Sequence, residues 1–375
     1  MKDNNLRIIV ETRANALGDR RRPACMIGIY ITVFCVALLM PLLFTPAFIR
    51  FAVRHGVVDS PGPRRVNVRV MPRLGGPALL LGFLVATALV HRRIDVWPGL
   101  IAGALIVFAV GAVDDVKHLR PALKLVGHIV AAIIAYKSGI RIEFLSNPAG
   151  GGMYHLPLWV SFFLTVFWII GITNAVNLID GLDGLAAGIV CIAALTFFLV
   201  AVQKGLVESA LLAVALAGTT GGFLRWNFYK AKTFMGDSGA YFLGYTAAVI
   251  AIIGAFKSTT ALTLLIPVFA LGVPIFDTSF AIVRRAQAGQ SIMSGADKGH
   301  LHHRMLAMGL NHRSAVIVCY LITLLLSAAS LALIQAWSLA ALLVALVACL
   351  TVFLIGAGKV LKRKKPVGRK SGIKN

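Results

Sequence analysis

Apolar runs of about twenty residues recur from Met26 to Ala357, separated by short stretches that hold nearly all of the charge. A helix needs roughly that length to cross the hydrocarbon core of a bilayer, and in lipid its backbone polar groups must be satisfied within the segment. The pattern restricts the chain to an all-α polytopic membrane protein. With 58% hydrophobic and only 14% charged residues, a soluble, core-rich enzyme is excluded. About eleven transmembrane helices are expected, over residues 26–49, 74–90, 97–113, 121–138, 157–175, 184–203, 209–224, 241–256, 260–283, 315–334 and 338–357.

The formal charge of +23 invites a nucleic-acid reading, but the positions of the charges exclude one. If the loops alternate between two faces, the 31 lysines and arginines after residue 25 divide very unevenly. Only Arg92, Arg93, Lys137, Arg141, Lys204 and Lys257 fall on one face, and the other holds the remaining 25. By the positive-inside rule the rich face is cytoplasmic, which puts the N-terminus outside and the C-terminus inside. The basic tail, residues 358–375, is expected to lie on anionic lipid. Residues 1–25 carry six basic residues on the outer side of the first span, against the rule. They read either as a disordered extension ahead of an integral domain over 26–357, or as the result of a start codon placed upstream of Met26. The five cysteines have no metal-type spacing and read as packing residues.

Against this apolar background the acids stand out. The run from Asn174 to Gly188 places Asn177, Asp180 and Asp183 among glycines between two spans. A carboxylate at a helix centre in the bilayer costs roughly 2.5–3.5 kcal/mol on insertion scales, so an acid near the hydrocarbon is a functional candidate. Asp114-Asp115 closes the third span, and adjacent carboxylates call for a cation or a shared proton. Gly236 and Asp237 open the eighth span, where backbone N–H groups favour phosphate and a carboxylate can hold a bridging divalent ion. Asp277 lies inside the ninth. On the alternation above, all six of these aspartates fall at or near cytoplasmic ends of spans.

Two basic segments accompany them. His300, His302, His303 and Arg304 follow Lys298 in a large loop. Three histidines so close suggest zinc, but no cysteine joins them, and with the neighbouring cations they suit phosphate better. The segment 64–73 supplies four arginines, among them Arg73, either as a membrane anchor or as a basic wall for an anionic substrate.

Taken in order, residues 113–119, 174–188, 234–244, 274–278 and 297–306 resemble the bacterial polyprenyl-phosphate N-acetylhexosamine-1-phosphate transferases, a glycosyltransferase 4 family. The resemblance covers about residues 26–357. It is strongest to the enzymes that initiate wall teichoic acid, O-antigen and enterobacterial common antigen. The His-Leu-His-His form at 300–303 differs from the His-His-His-Phe-Glu run of the branch that uses UDP-MurNAc-pentapeptide. Two positions depart from the family pattern: Asn67 stands where a histidine is usual, and His128 where glutamine is frequent. Asn67 keeps a hydrogen bond within reach but has no proton to transfer.

The resemblance implies a Mg²⁺-dependent enzyme, with Mn²⁺ as an alternative ion, in the bacterial inner (plasma) membrane. There undecaprenyl phosphate would attack the β-phosphorus of UDP-GlcNAc, giving a lipid diphosphosugar and UMP. It implies Asp237 as principal metal ligand and Asp183 as the second, with Asp114 and Asp115 beside the lipid phosphate. Asn177 and Asp180 would meet the nucleoside or sugar. Arg73, Gly236, His300, His302, His303 and Arg304 would hold sugar or phosphates, with Asn67 and Asp277 as subsidiary candidates. Family relatives often form homodimers. Two other classes bury carboxylates in membranes. A cation-coupled transporter keeps them near the midplane, often in internal repeats, and neither feature occurs here. A CDP-alcohol phosphotransferase has an arginine where Gly188 stands.

Overall fold

The computed structural model describes residues 2–59, 70–146, 153–255, 265–290 and 299–335. Asn67, the eleventh expected span and the basic tail lie outside the described residues. The protein is mostly helical. Helix α1 (Lys2–Arg54) has its apolar part over Cys25–Arg54, and its helical backbone reaches back into the segment expected to be a disordered extension. A two-residue hairpin, β1 (Val58–Asp59) and β2 (Met71–Pro72), leads into α2 (Gly76–Ala88). Helices α3 (Trp97–Lys117) and α4 (Pro121–Lys137) follow, then a small hairpin of β3 (Phe144–Ser146) and β4 (Met153–His155). The remaining helices are α5 (Leu158–Ile179), α6 (Leu185–Gln203), α7 (Val207–Asn227), α8 (Gly236–Ala255), α9 (Leu265–Ala270), α10 (Gly272–Gln287), α11 (Leu301–Ala307) and α12 (His312–Gln335). Proline in the first turn of α2, α3 and α4 starts each of them where its missing N–H costs nothing.

Seven of the described helices are long and apolar enough to cross a membrane: the Cys25–Arg54 part of α1, then α3, α5, α6, α7, α8 and α12. Helix α2 is apolar but has 13 residues, and α4 has 17. The ninth expected span is not one helix. It divides at Leu271 into α9 and α10 because Pro274, with no N–H, cannot continue the ladder.

Helix α8 is the axis of the bundle: 94% of its spanning window is buried, against 17% for α1 at the periphery. Small residues permit this. A side chain at Gly111 of α3 would strike the backbone of Ser238, and one at Gly244 would meet Thr173 Cα of α5 at 2.7 Å. Gly218 and Gly222 of α7, four residues apart, lie against the backbone of α1 at Phe34 and Leu38, the close approach that small-xxx-small spacing gives in membranes. The same tight crossing of α3 over α8 sets Asp115 against the first turn of α8.

Candidate active site

The site is formed by the hairpin that carries Asp59 and Arg73, the loop between α5 and α6, the junction of α7 with α8, and the start of α11. The segment from Pro72 to Gly76 is laced to the segment ahead of α8. Phe234 donates its N–H to the Pro72 carbonyl at 2.9 Å, and Gly75 and Gly76 return bonds to Phe234 and Met235 at 2.9 and 3.0 Å. This fixes Arg73 beside the start of α8. The hairpin register, Val58 opposite Pro72 and Asp59 opposite Met71, brings Asp59 to the same place.

Successive residues on a helix point about 100° apart, so Asp114 and Asp115 serve different neighbours. Asp114 turns to α4: its Oδ1 accepts the Leu119 N–H at 2.7 Å, and its Oδ2 pairs with Lys124. Its carboxyl lies near that of Asp237. Asp115 turns to α8. It accepts the backbone N–H groups of Asp237 and Ser238 at 2.8 and 3.2 Å and the Ser238 hydroxyl at 2.8 Å, while Arg73 stands 3.2 Å from its Oδ1. These bonds satisfy donors that every helix start leaves open. Gly236 makes the arrangement possible: its φ is +70°, and a Cβ there would lie 2.5 Å from the Asp115 carboxylate.

A cavity of about 340 Å³ opens between these elements, lined by Asp59, Arg73, Asn177, Asp180, Gly181, Leu182, Asp183, Asn227, Phe234, Gly236, Asp237, His302 and His303. It brings together eight of the residues singled out from sequence: Arg73, Asn177, Asp180, Asp183, Gly236, Asp237, His302 and His303. Asp114, Asp115, His300, Arg304 and Asp277 do not line it; of these, Asp115 bonds the backbone of Asp237, which does, and the others brace the segments around it. Asp277 accepts the His300 Nδ1–H at 2.8 Å and the Leu301 N–H at 2.7 Å, and so moors the start of α11. Arg304 donates from Nε to the Gly299 carbonyl at 2.7 Å, and Arg284 bonds the same carbonyl at 3.2 Å. His300 and His302, which would diverge if both lay on a helix, stand with ring planes 3° apart and centroids separated by 6.0 Å, because His300 precedes the helix.

Sequence reasoning missed four contributors. Asp59 and Asn227 line the cavity, Lys124 pairs with Asp114, and His312 bonds the Asp183 backbone. Only Asn227 left a signal, as an amide closing an apolar span ten residues before Asp237.

Electrostatically the cavity is rich in carboxylates. Burial, reinforced by Asp115 and Asp183, pushes Asp180 up to about 7 despite the nearby Arg73. Burial alone would lower the Arg73 pKa, but Asp115, Asp237, Asp59 and Asp180 outweigh it and raise the pKa. Burial, followed by the influence of His303, holds His302 down at about 3, so it is a neutral hydrogen-bonding group. Positive charge at the cavity comes from Arg73, 3.8 Å from Asp237 Oδ2.

Among the described residues, four carboxylates share the cavity with the Arg73 guanidinium, a donor set that suits a hard divalent cation. Among the described residues, no three of His, Cys, Asp and Glu already stand together as a metal site. Mg²⁺ does not require that, since it commonly takes one or two carboxylates and completes its shell with water and substrate phosphate. The oxygen donors of Asp183, Asp237, Asp180 and Asn177 fit that pattern.

The fold and the site define a helical, multi-pass membrane protein with an acidic, arginine-braced cavity at the ends of its helices. A family model described as glycosyl transferase family 4 matches residues 97–255. The chain is 41% identical, over 81% of its length and 84% of the relative's, to the probable undecaprenyl-phosphate N-acetylglucosaminyl 1-phosphate transferase of Bacillus subtilis (strain 168). It is 38% identical to the decaprenyl-phosphate N-acetylglucosaminephosphotransferase of Mycolicibacterium smegmatis, over 74% and 76% of the two chains. It is 30% identical to the phospho-N-acetylmuramoyl-pentapeptide-transferase of Shouchella clausii, over 79% and 94%. The chain belongs to glycosyl transferase family 4.

Proposed function

We propose that this protein transfers GlcNAc-1-phosphate from UDP-GlcNAc to undecaprenyl phosphate, releasing UMP, as the first membrane step in making a cell-surface polysaccharide. The observation that carries this reading is the convergence of Asn177, Asp180, Asp183, Asp237, His302, His303 and Arg73 on one cavity. The activities named for the relatives from Bacillus subtilis and Mycolicibacterium smegmatis support it.

The reaction exchanges one phosphoanhydride for another, so the protein's task is in-line positioning and charge neutralisation. Arg73, fixed by the bonds at Pro72 and Gly75, meets the phosphates at the mouth of α8. Phe234 offers a ring face for the base, and Asn227, whose Nδ2 is spent on the Thr233 carbonyl, keeps its Oδ1 for a donor. Asn177 and Asp180 meet the sugar or nucleoside, and neutral His302, with His303 beside it, donates to the sugar or phosphate oxygens. Asp183 and Asp237 would hold Mg²⁺, or Mn²⁺, which when bound neutralises diphosphate charge and polarises the bond being broken. Asp114, paired with Lys124, lies close to Asp237 and is the remaining acid beside the lipid phosphate. Asp115 has its oxygens committed to α8 and Arg73.

The charge bias supports about eleven spans in the bacterial inner membrane, with the N-terminus outside and the cavity facing the cytoplasm. The basic tail then meets the same leaflet, and a homodimer is the assembly that the family resemblance implies. The test is a panel of UDP-sugars offered with undecaprenyl phosphate to the purified protein, following UMP with and without Mg²⁺. UDP-GlcNAc is expected to be the best donor, and undiminished turnover after complete chelation would overturn the metal assignment.

A further inference from the structure

Helix α12 lines none of the cavity, yet two of its side chains hold the loop that does. His312 Nε2 accepts the backbone N–H of Asp183 at 2.8 Å and lies 3.8 Å from Asp183 Oδ1. Eight residues on, about two turns along a similar face, the Tyr320 hydroxyl donates to the Gly184 carbonyl at 2.5 Å. The tyrosine ring occupies the space a Cβ at Gly188 would need, so α6 can reach α12 only through a glycine. On the opposite side of the loop the Ala231 N–H bonds Asp183 Oδ2 at 3.0 Å.

The loop needs this support. Gly184 sits at φ +76°, a left-handed turn between two helices, and the short turn carries a carboxylate that must face the cavity. An acceptor is required opposite the Asp183 N–H, which places the single proton of the neutral imidazole on Nδ1. Lysine or arginine at 312 could not take that bond.

We propose that His312 and Tyr320 are positioning residues for Asp183, setting the affinity of the site for its divalent cation from outside the cavity. This rests on the reading that Asp183 and Asp237 hold the cation. Groups that orient a metal ligand without touching the metal typically change affinity about 10–100-fold when removed.

The test is Mn²⁺ binding to the full-length purified chain with UMP present, read by electron paramagnetic resonance, alongside the Mg²⁺ dependence of UMP release. His312→Ala is expected to weaken Mn²⁺ binding about 10-fold or more and to raise the Mg²⁺ needed for half-maximal rate in parallel. Saturating Mg²⁺ should then restore most of the rate. His312→Gln, whose Oε1 can accept from the Asp183 N–H, should recover most of the affinity. Tyr320→Phe should shift it in the same direction by less. Unchanged Mn²⁺ affinity in His312→Ala, or a loss of rate that Mg²⁺ does not relieve, would overturn the proposal. Asp237→Asn separates the two readings. If that variant binds Mn²⁺ like the parent, the cation site itself is wrong; if it loses Mn²⁺ while His312→Ala and Tyr320→Phe do not, only the positioning role fails. Should His312→Ala not fold, His312→Gln and Tyr320→Phe decide: both must keep the unliganded melting temperature, and an unshifted Tyr320→Phe overturns the clamp.

Discussion

Asp115 Oδ1 accepts the backbone N–H of Asp237 at 2.8 Å, so the acid that ends α3 caps the helix carrying the proposed metal ligand. The two aspartates are thus mechanically linked while doing different work. Asp115→Ala would strip the first turn of α8 of its acceptor and leave buried N–H groups and the Arg73 guanidinium without it. A buried unsatisfied group costs about 1–3 kcal/mol. The variant is expected to lose activity together with melting temperature, measured by thermal unfolding in detergent. An inactive Asp115→Ala protein as stable as the parent would contradict the capping role.

Asp237 makes a different forecast. Its side chain is 25% exposed and pairs with Arg73 at 3.8 Å. Asp237→Asn is therefore expected to abolish UMP release while leaving the protein folded and inserted, with the melting temperature near that of the parent. Retained activity would refute its assignment as principal ligand.

The contrast between these residues shows what the sequence disclosed. Asn177, Asp180, Asp183, Gly236 and Asp237 were legible because each acid sits in a short polar run between apolar spans, where a charge needs a reason. Arg73 was legible as one of a basic cluster but not as a guanidinium lining the cavity, which depends on the bonds between Pro72 and Phe234. Asp114 and Asp115 read as one motif, yet helix geometry sends them to α4 and α8. Asp59 was invisible because only the register of a two-residue strand carries it to the site. His312 was invisible because its bond to Asp183 spans more than a hundred residues of chain. The break at Leu271 was readable in principle from Pro274, but the surrounding hydrophobicity hid it.

Asp180 gives the protein a pH dependence. Its carboxyl titrates near 7 in the folded chain and near 3.8 otherwise, so the substrate-free folded state binds the extra proton between those values. Stability should be greatest below about 4 on this account, fall as pH rises toward 7, and level off above. Asp180→Asn, which cannot ionise, is expected to flatten that part of the profile of melting temperature against pH. An identical slope in both proteins would show that Asp180 does not titrate there.

Asp277 is expected to act through the loop it moors. It is 4% exposed and takes both the His300 ring N–H and the Leu301 N–H. Asn in its place offers one oxygen and turns an N–H₂ toward one of those donors. Asp277→Asn should lower turnover and melting temperature together, since the histidine segment loses its anchor. A selective loss of UDP-GlcNAc affinity with unchanged melting temperature would mean that Asp277 meets the donor itself.

Gly181 makes the sharpest steric prediction. The His302 ring lies directly over it, so that a Cβ at 181 would collide with Nε2 and Cε1. The ring cannot retreat, because His302 is buried at 3% exposure and its neighbours are fixed by the Asp277 and Gly299 bonds. Gly181→Ala must therefore push His302 out of place or shift the loop that carries Asp183. Either movement disturbs the cavity and little of the bundle. The variant is expected to fall well below the parent in turnover, by about tenfold or more for a misplacement of 1 Å, while melting within a few degrees of it. Full activity in Gly181→Ala would mean that the position of His302 over the loop has no part in the reaction.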